Sequence, residues 1–145
     1  MEKAGKIKKR EPNPYEWFSD DADYFYCREV QNLSCALHFH SSWEFIFVAE
    51  GKLKLLLDGE EILAKAGEAV FIPGFVVHYG AGEEKNRCFS LVFGSNYKRA
   101  FEEEFGEKQF DYVLENRGDR TEEIFGFLEK CVRNFSSLSR CERCG

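Results

Sequence analysis

HFHSSWEFIFVAEG, His38 to Gly51, and GEAVFIPGFVVH, Gly67 to His78, decide how this chain folds. The chain has only three histidines, and all three stand in these two stretches. Successive strand residues point to opposite faces, so His38 and His40 share one face about 6.5 Å apart. Glu44 keeps that parity if the strand runs on. It also reaches the histidines if Ser41-Ser42 fold the chain into a neighbouring strand. Three imidazoles and one carboxylate are a sound ligand set for a divalent transition metal such as Zn, Ni, Fe, Mn or Cu. A sheet that closes into a barrel brings such strands around one interior point. The plainer alternative is that the four residues only hydrogen-bond within a core that holds no metal.

Outward from these stretches the chain alternates short apolar runs with turn residues. Ala36 to His40, Trp43 to Ala49, Lys52 to Leu57, Glu60 to Lys65, Ala69 to Ile72, Val76 to Tyr79 and Arg87 to Phe93 read as strands. Glu50-Gly51 reads as a turn between two of them. Asp58-Gly59 is the clearest hairpin mark, because glycine accepts the positive φ of a type I′ turn. Short strands and tight turns at this density predict an antiparallel sandwich or barrel.

The pattern changes near Gly94. Tyr97 to Phe105 reads as a short helix. Thr121 to Phe135 reads as a stronger one, with Ile124, Phe125, Leu128, Cys131, Val132 and Phe135 at helical spacing. That stripe needs cover, from the barrel or from the same helix of a second copy. The limited outer surface of a small barrel favours the second copy. The expected organisation is a flexible basic arm over 1–20, the barrel over 21–94, and a helical tail over 95–145 that serves dimerisation.

Composition narrows the function classes. The formal net charge is −6, which speaks against a protein that grips nucleic acid by its backbone. The basic run KAGKIKKR, Lys3 to Arg10, reads as a solvated tail rather than a binding arm. No secretory signal and no apolar run of membrane length is present, so a cytoplasmic location with reduced thiols is expected. Cys27, Cys35, Cys88 and Cys131 sit among apolar neighbours and read as small core residues. Cys141 and Cys144 form a terminal CxxC with no second pair to complete a zinc site, and they read as incidental.

The two opening stretches resemble the paired motifs of the cupin superfamily. In the first, HxH is followed by three residues, a glutamate, six residues and a glycine. In the second, a glycine, five residues and a proline precede a histidine five positions further on. Two departures stand out: Phe75 occupies the place of a glycine, and Gly82 that of an asparagine. The resemblance implies a cupin-type antiparallel barrel, a double-stranded β-helix or jelly roll, followed here by two helices.

Within that superfamily the HxHxxWE opening, the LxLxxDGEE hairpin and the trailing helices resemble the N-terminal sensing domain of arabinose-regulator-type (AraC-type) transcription factors. That resemblance implies a small, sugar-like effector inside the barrel and a homodimer through the C-terminal helix. Only 51 residues follow Gly94, and the two helices use most of them, so no DNA-reading module is expected here. His38, His40, Glu44 and His78 would bind the effector, with Tyr79 and Arg87 near the mouth. Trp43 and Phe71 are candidates for stacking on it, although parity sets Trp43 opposite Glu44. The rival reading is a small metal-dependent dioxygenase, decarboxylase or isomerase on the same four ligands, for which no separate general base stands out.

Overall fold

A computed structural model describes residues 14–106, 111–115, 125–127, 129–131 and 133–134. The basic run, the start of the second helix and the Cys141/Cys144 pair lie outside the described residues. The strands are β1 (Phe25–Gln31), β2 (Ser34–His38), β3 (Trp43–Leu57), β4 (Glu60–Lys65), β5 (Ala69–Ile72), β6 (His78–Ala81), β7 (Asn86–Phe93) and β8 (Val113–Leu114). Helix α1 spans Ser95–Phe105, and residues 125–127, 129–131 and 133–134 are also helical. No helix among the described residues is long and apolar enough to cross a membrane.

All strand pairs are antiparallel. One layer runs in the order β1-β7-β3-β5-β8, and β4 and β6 pair with the far half of β3, with β2 outside β6. The long β3 thus belongs to both layers, and the sheet folds over without closing.

Glu50-Gly51 does not end a strand, contrary to the sequence expectation. Val48 pairs with Cys88 but Glu50 with Arg87, so Ala49 is one extra residue in a β-bulge. The bulge reverses parity: Glu44, Ile46 and Val48 face inward before it, Leu53, Leu55 and Leu57 after it. Gly51 has φ +77°, and a Cβ there would lie 2.0 Å from the Lys85 carbonyl oxygen. Only glycine fits.

The centre of the β1-β7-β3-β5-β8 layer, formed by β7, the first half of β3 and β5, is buried on both faces, which is why these strands read as near-continuous apolar runs. Its inner face (Ile46, Val48, Val70, Ile72, Cys88) packs on Leu53, Leu55, Leu57 and Ile62. Its outer face carries Phe45, Phe71, Leu91 and Phe93, covered by Phe101 of α1 and by Phe125. Phe45 is fully buried, with ring centroids 4.9 Å from Phe71 and 5.7 Å from both Phe93 and Phe101. The described stripe residues Phe125 and Cys131 therefore pack on the chain's own barrel, together with Phe127. The aromatic outer face of the layer supplies the cover that the sequence expectation sought from a second copy.

Candidate metal centre

His38 ends β2, His40 follows it in the loop, Glu44 lies on β3 and His78 opens β6. The fold brings all four together. Each residue offers one ligand atom, and these atoms lie within 4.8 Å of one another. The register brings two of them together directly, since His38 pairs with His78. The rings of His38 and His78 meet edge-on at 3.9 Å between centroids.

Each imidazole is oriented by a backbone carbonyl. Nδ1 of His38 lies 2.7 Å from the Ala36 oxygen, that of His40 2.9 Å from Ser42, and that of His78 2.9 Å from Val76. A carbonyl only accepts, so Nδ1 carries the proton in each ring and Nε2 is left for the centre. Nε2 of His40 and of His78 stand 3.4 and 3.3 Å from Glu44 Oε2. The other Glu44 oxygen accepts a 2.7 Å hydrogen bond from the Ser90 hydroxyl.

The unsatisfied atoms test whether a metal fits. Glu44 Oε2 and His78 Nε2 are buried and have no hydrogen-bond partner. Buried polar atoms are normally paired, and a lone pair aimed at a carboxylate oxygen is repulsive. A divalent cation between them satisfies both at once. Glu44 is also held in the ionised form that a metal ligand needs. Burial alone would raise the Glu44 carboxyl, but the imidazoles of His40 and His78 outweigh it and hold it below the carboxylate range. Burial pushes His40 down, yet Glu44 beside it leaves a net rise; burial, then the charge of His78, lowers His38. The donor set of three imidazoles and a carboxylate suits Zn, Ni, Fe, Mn or Cu.

A cleft of about 300 Å³ opens onto His38, His40 and Glu44. Its walls include Glu16, Tyr24, Tyr26, Arg28 and Val92. Residues 14–20, assigned from sequence to the flexible arm, are built into this rim. The Glu16 amide donates to the Phe39 carbonyl at 2.9 Å, and the Phe39 amide to the Pro14 carbonyl at 2.8 Å. Glu16 Oε1 then lies 3.7 Å from His38 Nε2. From the other side, Lys98 of α1 donates to the Ser41 carbonyl at 2.9 Å, gripping the loop between His40 and Glu44.

Tyr79 and Arg87 are not brought to this site. Tyr79 follows the inward His78 and so points out, 38% exposed. Arg87 shares its parity with Phe89, Leu91 and Phe93 on the outer face. It is engaged by Glu29 at 3.5 Å and Glu50 at 3.3 Å. Trp43 and Phe71 also face the helices rather than the cleft, their rings 5.2 Å apart. Tyr24, Tyr26 and Arg28 escaped notice in the sequence because β1, FYCREVQ with its mixed polarity, and Tyr24 before it were not read as a strand. The available signal was Cys27, a small apolar residue flanked by Tyr26 and Arg28. Ser90 was legible in principle, as a lone hydroxyl in the apolar run RCFSLVF must find a partner.

Comparison with known proteins agrees with the motifs. Residues 25–92 match the family described as Cupin domain. No curated protein matched the chain. Among solved structures, the chain is similar to the EutQ protein of Clostridium difficile, at 19% identity and TM-score 0.40, over 50% of this chain and 56% of that one. It is similar to protein NMB1881 from Neisseria meningitidis at 24% identity and TM-score 0.43, over 48% and 74%. It is also similar to the polyketide cyclase RemF from Streptomyces resistomycificus at 30% identity and TM-score 0.40, over 52% and 58%. The match reaches less than two thirds of the EutQ and RemF chains.

Proposed function

We propose that the cupin domain at residues 25–92 is a metal-dependent sensor of a small molecule, of the kind found at the N-terminus of AraC-type regulators. His38, His40, Glu44 and His78 hold the metal, and the ligand lies in the cleft beside them. A divalent metal there supplies Lewis-acid polarisation of an oxygen donor. The protein's own groups do the rest. The backbone carbonyls fix the rings, and Ser90 fixes Glu44.

The observation that carries this reading is the contact between Lys98 and the Ser41 carbonyl. It joins helix α1 directly to the loop between two metal ligands. The sheet supplies a second mechanical link: Glu44 faces the cleft and its neighbour Phe45 packs on Phe101 of α1. A ligand that shifts the loop by a fraction of an ångström therefore works on the helices. A homodimer through the C-terminal helix would have to use surface other than Phe125 and Cys131, which the chain's own sheet covers.

Hydrogen exchange of α1 amides, measured with and without Ni or Zn, tests the coupling. Metal uptake should slow α1 exchange in the wild type, and Lys98→Met should keep the metal but lose most of the slowing. Unchanged α1 exchange on metal uptake would count against sensing. One observation favours the enzyme reading as second: Glu16 beside His38 is a carboxylate facing the cleft, the proton acceptor that the sequence did not reveal. Turnover of a small molecule by the metal-loaded protein, abolished by Glu16→Gln with metal retained, would establish that use instead.

A further inference from the structure

Arg28 stands on the inner face of β1, at the wall of the cleft, and is exposed. No ion pair or hydrogen bond engages it among the described residues. Its counterpart on the outer face, Arg87, is held by two glutamates. An arginine left without an ion pair in a cleft, where the arginine on the opposite face is paired, marks an anion position. Its fork of donors matches a carboxylate in bidentate fashion.

The sheet register fixes where that position lies. Arg28 pairs with Ser90 of β7, and the Ser90 hydroxyl binds Glu44 of β3. Two strand spacings, about 9.6 Å, separate the backbones of β1 and β3. A short organic molecule spans the gap between a guanidinium and the metal ligands. Tyr24 and Tyr26 flank that path with aromatic surface and hydroxyls.

Charge placement decides the class. Among the lining residues Arg28 is the one arginine or lysine, and a divalent ion at the four clustered side chains would be the second cation. A dicarboxylate sets one charge against each; a phosphate monoester, carrying up to two charges at one end, would meet a single guanidinium.

We propose that the cleft takes a small carboxylic acid with a second oxygen donor. Arg28 holds its carboxylate, and the other oxygen reaches the metal centre. This rests on the metal reading of the four ligands, so metal content is measured first. Calorimetric titration of Ni-loaded protein then uses the dicarboxylates from oxalate to adipate, with succinamide and inorganic phosphate as comparison probes.

Binding should peak at one chain length and weaken roughly 10- to 100-fold in Arg28→Gln, with Arg28→Lys between the two. Metal stoichiometry should be unchanged, because Arg28 is not a ligand. Equal binding by Arg28→Gln, or succinamide binding as tightly as succinate, would overturn the proposal. Preference for phosphate over every dicarboxylate would overturn the carboxylate class. If no metal is taken up, the metal reading fails by itself. Dicarboxylate binding that still depends on Arg28 would then uphold the anion site, and its absence would end it.

Discussion

Phe75 lies at φ +64° and is 64% exposed, at the place where the cupin motif usually has glycine. A side chain in the left-handed region is strained by roughly 1–2 kcal/mol, and Phe75 recovers little of that by burial. Its amide nevertheless donates to the His40 carbonyl at 2.8 Å, so the turn holds the backbone of a candidate ligand. Phe75→Gly should raise stability by about 1 kcal/mol, a melting shift of a few degrees, with metal stoichiometry unchanged. The buried thiols give a second test. Burial pushes Cys27 up to about 12 and Cys88 to about 11. A raised value means the folded state favours the neutral thiol. The stability this contributes is complete below the ordinary thiol value near 9 and is lost as pH rises towards 12. Guanidinium midpoints should therefore fall between pH 8 and 10.5, and fall less in Cys27→Ala.

At the scale of elements, β3 decides the architecture. Its bulge lets one strand present Glu44, Ile46 and Val48, then Leu53, Leu55 and Leu57, to the same interior. Gly51 permits that bend, since any side chain would collide with the Lys85 carbonyl. Gly51→Ala should cost about 1–3 kcal/mol, read as a lower denaturant midpoint. A neutral outcome would mean that the bulge can move along the strand. The Asp58-Gly59 hairpin was fully legible: both residues have positive φ, 47° and 80°, as the two-residue turn demands. The Glu50-Gly51 step was not. A glycine after an acidic residue looks the same in sequence whether the chain reverses or bulges; partner strands choose between them.

For the molecule as a whole, the candidate metal centre would act as a clasp. Its ligands come from β2, the following loop, β3 and β6, so a bound ion ties together segments far apart in sequence. Ni or Zn at a hundredfold excess over Kd should stabilise the fold by about 2.7 kcal/mol, and His78→Ala should abolish the gain. Stabilisation that persists in His78→Ala would move the ion to another site. The antiparallel strand pattern and the four candidate ligands were legible along the chain. Strand alternation and turn chemistry are local, and the spacing of three histidines is visible in one dimension. Only the tertiary structure decided which face each neighbour takes. It turned Tyr79 and Arg87 away by strand parity, brought Glu16 and Arg28 to the cleft, and laid Phe125 on the outer sheet. Those choices depend on register, the bulge and competition for apolar surface, which are properties of paired strands rather than of any single segment.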